Sequence, residues 1–307
     1  MTTDPRVTAA SLRPHVLIIA EPGMIADAAR HATALVGASV VASTGWQGAP
    51  QAIAPLPTVD LVIVAAQGAS DAQLEAILPQ LDTLAQSMPA RIVVAMAEAQ
   101  IDLVASLLWG RHVDLLCEPT IAQWVAAIGV AIAPLRRDRL RDPAREEDER
   151  LHRLREELTR IVDLLSRLAA DDASQDNVAD RSLSYAGPPA TSSVTGGDIR
   201  KIIRARRLRD AQFSPGLFED PAWDMLLDLY AAHLEGVRVS VSSLCIAAAV
   251  APTTALRWIA RLSDSGLLER HPDPSDRRRA YLALSDTARD RMTRYFAALA
   301  QNGLPIA

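Results

Sequence analysis

The 307-residue chain predicts two folded domains of different class joined by a helix: an amino-terminal α/β domain built on a parallel sheet, and a carboxy-terminal α+β domain. Three observations predict this. Short apolar runs alternate with helical stretches from His15 to about Ala133. Six aliphatic residues between Leu151 and Leu168 hold a strict heptad spacing. From Asp198 onward, two short helices meet at a tight turn and are followed by a hairpin with an arginine-rich tip.

In the first domain (residues 12–134) five strands are expected: Val16 to Ala20, Ser39 to Ser43, Leu61 to Ala65, Ile92 to Met96 and Val113 to Cys117. They are continuously apolar rather than alternating, as strands buried on both faces must be. Helices are expected near 23–36, 70–87, 99–109 and 121–132, the second capped by Ser70 and the last by Thr120. Five strands with helical crossovers in about 120 residues fit a flavodoxin-like doubly wound domain.

Residues 136–170 predict a connector helix, with Asp142 as cap, Pro143 at its first position and Glu146, Glu147, Asp148 and Glu149 near its positive end. Leu151, Leu154, Leu158, Ile161, Leu165 and Leu168 follow at intervals of 3, 4, 3, 4 and 3. That stripe suits a dimeric coiled coil, the alternative being an amphipathic helix lying on its own domain. Residues 171–197 lose all periodicity, collect Asp, Ser, Thr, Gly and Pro, and read as a flexible linker whose ends would lie roughly 30 Å apart.

In the last domain (residues 198–302) helices are expected at 199–212, 221–235, 242–249, 252–264 and 286–301, with a short strand at Val237 to Val239 and a hairpin over 267–284. This is the order of a winged helix-turn-helix. In the second helix of the turn, Ala255, Ile259 and Leu262 recur at core spacing, which turns Thr253, Thr254, Arg257 and Arg261 outward. Hydroxyls and guanidinium groups bond to phosphates, and arginine pairs bidentately with guanine in the major groove. Arg277, Arg278 and Arg279 stand at the hairpin tip, where side chains reach a minor groove. Alone, three consecutive arginines read as a solvated face; beside the outward Thr/Arg face and the Gly266 turn they read as DNA contacts. Trp258 is expected to pack. Arg200, Lys201, Arg204, Arg206, Arg207 and Arg209 form a second basic cluster, either touching phosphates or solvating a helix whose Ile202, Ile203 and Leu208 help dimerise.

Gly266-Leu267-Leu268-Glu269-Arg270, Asp276-Arg277-Arg278-Arg279 and Leu282-Ala283-Leu284-Ser285 resemble the run that carries the wing in MarR-family transcription regulators. Thr254-Ala255-Leu256-Arg257-Trp258-Ile259 resembles that family's recognition helix. The resemblance covers roughly residues 199–301. It implies a homodimeric regulator of double-stranded DNA, with Gly266, Arg270 and Asp276 shaping the wing and Asp276 bracing one arginine. Two positions depart from the pattern: Ala251 stands where a capping serine is common, and Ala249 where the turn glycine is usual. Such regulators bind small ligands between the DNA-binding lobe and the dimer helices; in this longer chain, sensing is expected elsewhere.

The amino-terminal domain resembles a response-regulator receiver in architecture alone. Ala20-Glu21 stands where two metal-binding acids are required, Ala65 or Ala66 where the phosphorylated aspartate belongs, Ala95 or Met96 near the hydroxyl site, and Glu118-Pro119 where lysine is expected. Phosphoryl transfer needs an acceptor carboxylate and cationic stabilisation. A pseudo-receiver is therefore expected, serving as a dimerisation or protein-interaction platform, or alternatively holding a small ligand at the carboxyl ends of the strands.

Composition narrows the function further. The net charge of −5 conceals a split: residues 1–134 carry −6, residues 135–197 carry −2 and residues 198–307 carry +3. An acidic module is thus tied to a mildly basic one. Arginine outnumbers lysine 31 to 1, which suits phosphate binding and equally a coding bias. Cys117 and Cys245 form no C-x-x-C spacing, the six histidines are scattered, and no phosphate loop or nucleophile elbow is present, so no metal, cofactor or enzymatic activity is expected. Cys245 reads as a buried inert thiol rather than a redox sensor. The longest apolar runs, such as Trp124 to Ala133, are shorter than a bilayer span, and a cytoplasmic protein with no membrane contact is expected. The leading expectation is a sequence-specific DNA-binding transcription regulator. The alternative is a scaffold protein whose winged helix binds a protein partner.

Overall fold

The computed structural model describes residues 13–53, 59–87, 90–110, 112–140, 194–213, 217–276 and 278–302, the side chains of 135–140 and Ala211 apart. The dimerisation residues Leu151 to Leu168, most of the expected linker and Arg277 lie outside these.

The first half alternates β1 (His15–Ile19), α1 (Met24–Leu35), β2 (Ser39–Thr44), α2 (Ala49–Ile53), β3 (Leu61–Ala65), α3 (Asp71–Ser87), β4 (Arg91–Met96), α4 (Ile101–Leu107), β5 (Val113–Cys117) and α5 (Ile121–Leu140). The five strands are all parallel in the order β2-β1-β3-β4-β5, which is the flavodoxin-like doubly wound order. Val62, Val64, Ile92 and Val94 face one core with Leu74, Leu78 and Leu81 of α3. Ile18, Leu61, Ile63 and Val93 face the other with Ala26 and Ala29 of α1 and Trp124 and Ile128 of α5. Burial on both faces is why these strands read as unbroken apolar runs. The short α2 was not expected. It follows Trp46, whose ring is buried in the first of these cores.

The second half contains α6 (Gly196–Gln212), α7 (Pro221–Glu235), β6 (Val239–Ser240), α8 (Val241–Ala247), α9 (Pro252–Asp264), β7 (Leu268–Pro272), β8 (Ala280–Leu284) and α10 (Asp286–Gln301). A small antiparallel sheet in the order β6-β8-β7 carries the wing. Gly196 and Gly197 open α6 rather than ending a linker. Thr195 caps it, and Asp198 returns the bond to the Thr195 N–H, a capping box that outweighs the poor helix propensity of two glycines.

The cationic face of α6 is largely committed within the protein. Arg200 pairs with Asp228 and, at 3.1 Å, with Glu235. Arg206 and Arg207 converge on the buried Asp224 at 2.6 and 3.1 Å. These bonds tie α6 to α7, so three of the six members of that basic cluster serve packing.

The sequence led us to expect a tethered carboxy-terminal domain; instead, residues 13–134 and 194–302 form one compact unit in the structure. One continuous apolar core runs from β4 and α4 into α8, α9 and β8. Among the described residues no single helix is long and apolar enough to cross a membrane.

Candidate nucleic-acid interface

The chain bends by 109° between α8 and α9, within the range that defines a helix-turn-helix. The turn is closed by Ala249 in the left-handed conformation, at φ 52°, its N–H donating to the Ile246 carbonyl at 3.1 Å. The missing glycine thus leaves the turn intact at the cost of backbone strain of about 1 kcal/mol. Ala251 precedes α9 with no side-chain capping bond.

Helix α9 presents three faces. Ala255, Ile259 and Leu262 enter the core of their own domain, as the spacing predicts. Arg261 is exposed and lies over the half-buried Trp258 ring at 5.0 Å, with Thr254 half-buried beside it. The third face meets the α/β domain. Thr253, expected outward, is only 5% exposed: its hydroxyl accepts from the Cys117 N–H at 2.9 Å and donates to the Cys117 carbonyl at 3.0 Å. Both partners are backbone groups on the open edge of β5, where a sixth strand would otherwise pair. Leu256 is buried along the same stripe, lining a small cavity with Trp109, Val113 and Leu115.

Arg257 is exposed and lines, with Thr254, Asp114, Gln123 and Val130, a cavity of about 110 Å³ between β5, α5 and α9. Burial pushes the Asp114 carboxyl above its ordinary range, an effect that the charges of Arg91 and Arg257 oppose.

Helix α9 ends in a Schellman motif: the Gly266 N–H donates to the Ser263 carbonyl and the Leu267 N–H to the Leu262 carbonyl, both at 3.0 Å. Gly266 sits at φ 70°, where a side chain would be strained, and so launches β7.

At the wing tip, Asp276 accepts the Arg278 N–H at 3.0 Å and stands 3.5 Å from Arg279. A second brace escaped sequence reading. Asp273 is buried and accepts from the Ser275 hydroxyl and N–H and, at 2.8 Å, from the Tyr281 hydroxyl, which hold its carboxyl at about 2. The clue was an Asp-Pro-Ser turn with an aromatic on the returning strand.

Arg270 reaches from β7 to the α/β domain. Its guanidinium donates to the Ser106 carbonyl of α4 and sits 6.0 Å from the Trp109 ring. Arg278 pairs with Asp71 at 3.0 Å and Glu75 at 2.6 Å, at the start of α3. Among the described residues the Arg279 guanidinium pairs with Asp276.

The receiver-like end of the sheet gathers little chemistry. Glu21 accepts the Trp46 N–H at 3.2 Å, and Glu118 sits at φ 45° before Pro119. Among the described residues no group of three or more His, Cys, Asp or Glu side chains forms a metal site. Cys245 is buried, and burial first, then the nearby Asp102, pushes its thiol up to about 12.

No family model matches the chain, and no curated protein does. Solved structures resemble about a third of it. The S. aureus MepR–DNA complex is 16% identical, covering 34% of this chain and 77% of that one, at a TM-score of 0.24. A mutant MarR from E. coli is 19% identical over 36% of this chain and 79% of its own, also at 0.24. A probable transcriptional regulator from Pseudomonas aeruginosa is 24% identical over 34% and 76%, at 0.23.

Proposed function

We propose that the chain is a DNA-binding transcription regulator that acts as a homodimer and is not an enzyme. The observation that carries this reading is the helix-turn-helix and wing frame, with Arg257, Arg261, Arg278 and Arg279 all exposed on it. In this reading α9 enters a major groove and the wing, including Arg277, an adjacent minor groove. The heptad Leu151, Leu154, Leu158, Ile161, Leu165 and Leu168 joins two copies, whose recognition helices then meet half-sites roughly 34 Å apart. The α/β domain is a pseudo-receiver: it keeps the doubly wound order and has alanine at the phosphorylation position. It provides signal input by contact, with protein or with a small ligand. The charge of +3 on residues 198–307 makes affinity depend on focused arginines and on dimerisation.

Mapping bound sites across the genome, followed by binding titrations on one such site, tests the reading. Arg261→Ala and Arg279→Ala, whose side chains bond to no described residue of the α/β domain, should each weaken binding about tenfold and lower the salt slope by about one. Undiminished binding by both variants would remove this contact surface. A chain that binds no DNA would favour the protein-partner reading. Leu158→Glu with Leu165→Glu should halve the mass in solution.

A further inference from the structure

Three of the residues expected to meet DNA already face the acidic half of the same chain. Thr253 is bonded through its hydroxyl to both backbone groups of Cys117. Arg278 is bonded to Asp71 and Glu75. Arg257 shares its cavity with Asp114. Ser242 of α8 is bonded to Asp102, whose carboxylate accepts the Ser242 N–H at 2.9 Å and the Ser242 hydroxyl at 2.6 Å. Asp71, Glu75 and Asp102 thus accept from donors of the winged helix, as a phosphate oxygen does. The stripe of Thr253 and Leu256 seals the edge of β5, so a duplex cannot reach the start of α9 while the sheet stands there.

We propose that the α/β domain is an intramolecular DNA mimic: its carboxylates Asp71 and Glu75 on α3, Asp102 on α4 and Asp114 on β5 hold the DNA-contact face of the winged helix, and the two must part before DNA binds. This rests on the DNA-binding reading above and explains the charge split along the chain, −6 before residue 135 against +3 after residue 197. A signal that loosens this contact raises DNA affinity by enlarging the open fraction, because apparent affinity scales with the competent population.

The chain carries its own reporter of opening. Its two cysteines are both buried, and Cys117 lies on the strand edge that Thr253 covers. In a Cys245→Ser background, the reaction of Cys117 with a soluble disulfide reagent reads separation without DNA. DNA affinity is measured in parallel on a random-sequence duplex of about 30 base pairs at low salt, where backbone contacts carry binding.

Asp71→Asn with Glu75→Gln removes one latch, and Asp102→Asn a second. Asp27→Asn with Glu21→Gln, which neutralises acids that bond to none of the described winged-helix residues, controls for net charge. The latch variants should raise both the Cys117 rate and the DNA affinity about tenfold or more when combined, and the control neither. Unchanged Cys117 rates would overturn the latch. Faster thiol reaction with unchanged DNA affinity, where the parent chain binds DNA, would overturn the mimicry. Faster reaction with no DNA bound by any form would overturn the DNA reading, and the mimicry with it, while the interdomain latch stands.

Discussion

Thr253→Val tests the placement of the recognition helix most directly. Valine keeps the β-branched shape and removes only the hydroxyl. In the structure that hydroxyl makes two bonds, at 2.9 and 3.0 Å, to the N–H and carbonyl of Cys117, and Thr253 is 5% exposed. A net contribution of about 1 kcal/mol for each bond gives a loss of about 2 kcal/mol, rising toward about 4 if both backbone groups of Cys117 stay buried without partners. With a urea m-value of about 3 kcal/mol/M, the midpoint falls by about 0.7 M. Protection of the Cys117 amide against hydrogen exchange should fall in parallel, because among the described residues no strand lies on that side of β5 to replace the lost acceptor. Thr253→Ser keeps the hydroxyl and should retain both protection and most of the stability. A Thr253→Val chain with an unshifted midpoint and a protected Cys117 amide would refute the packing of α9 on β5, and with it the argument that this face is covered.

Three further outcomes follow from local geometry. Ala249→Gly should stabilise the chain by about 0.5–1 kcal/mol and raise the thermal midpoint, because φ 52° is strained for alanine and free for glycine; a lowered midpoint would contradict that backbone. Asp224→Ala should cost about 3 kcal/mol in denaturant titrations, since it strips Arg206 and Arg207 of a shared buried carboxylate; a loss below about 1 kcal/mol would show that α6 is held otherwise. Asp198 and Asp273 are both held at about 2, below the ordinary 3.8, by hydrogen bonds from Lys201 and Thr195 and from Ser275 and Tyr281 respectively. A depressed carboxyl stabilises fully above its unfolded value, so their contributions persist above about pH 4 and are lost as pH falls through about 2. Amide signals of the wing and of the first turn of α6 should shift over that window, and Asp273→Asn should remove the wing part alone.

Much of this fold was legible in the sequence because its determinants are local. β3 and β5 lie where they were read, and the other long strands within a residue, because unbroken aliphatic runs between turn residues have one stable use in an α/β layer. Helix α9 spans the expected 252–264, fixed by Pro252 at its start and Gly266 beyond its end. Short or glycine-led elements were not legible. α2 has only five residues, and Gly196-Gly197 resembles a linker until Thr195 and Asp198 are seen to bond across them.

The candidate site divides in the same way. Helical periodicity determined that Thr253, Arg257 and Arg261 leave the core formed by Ala255, Ile259 and Leu262, and composition determined that an acidic half precedes a basic one. Periodicity reports which face turns away from the local core; it carries no information about a surface more than a hundred residues distant that comes to lie against that face. Only the tertiary structure decided that Thr253 meets Cys117, that Arg278 meets Asp71 and Glu75, and that Arg270 reaches Ser106. Those contacts exist because an open strand edge must satisfy its backbone groups and an acidic surface lowers its free energy against arginines, and both conditions are met only once the two halves are folded.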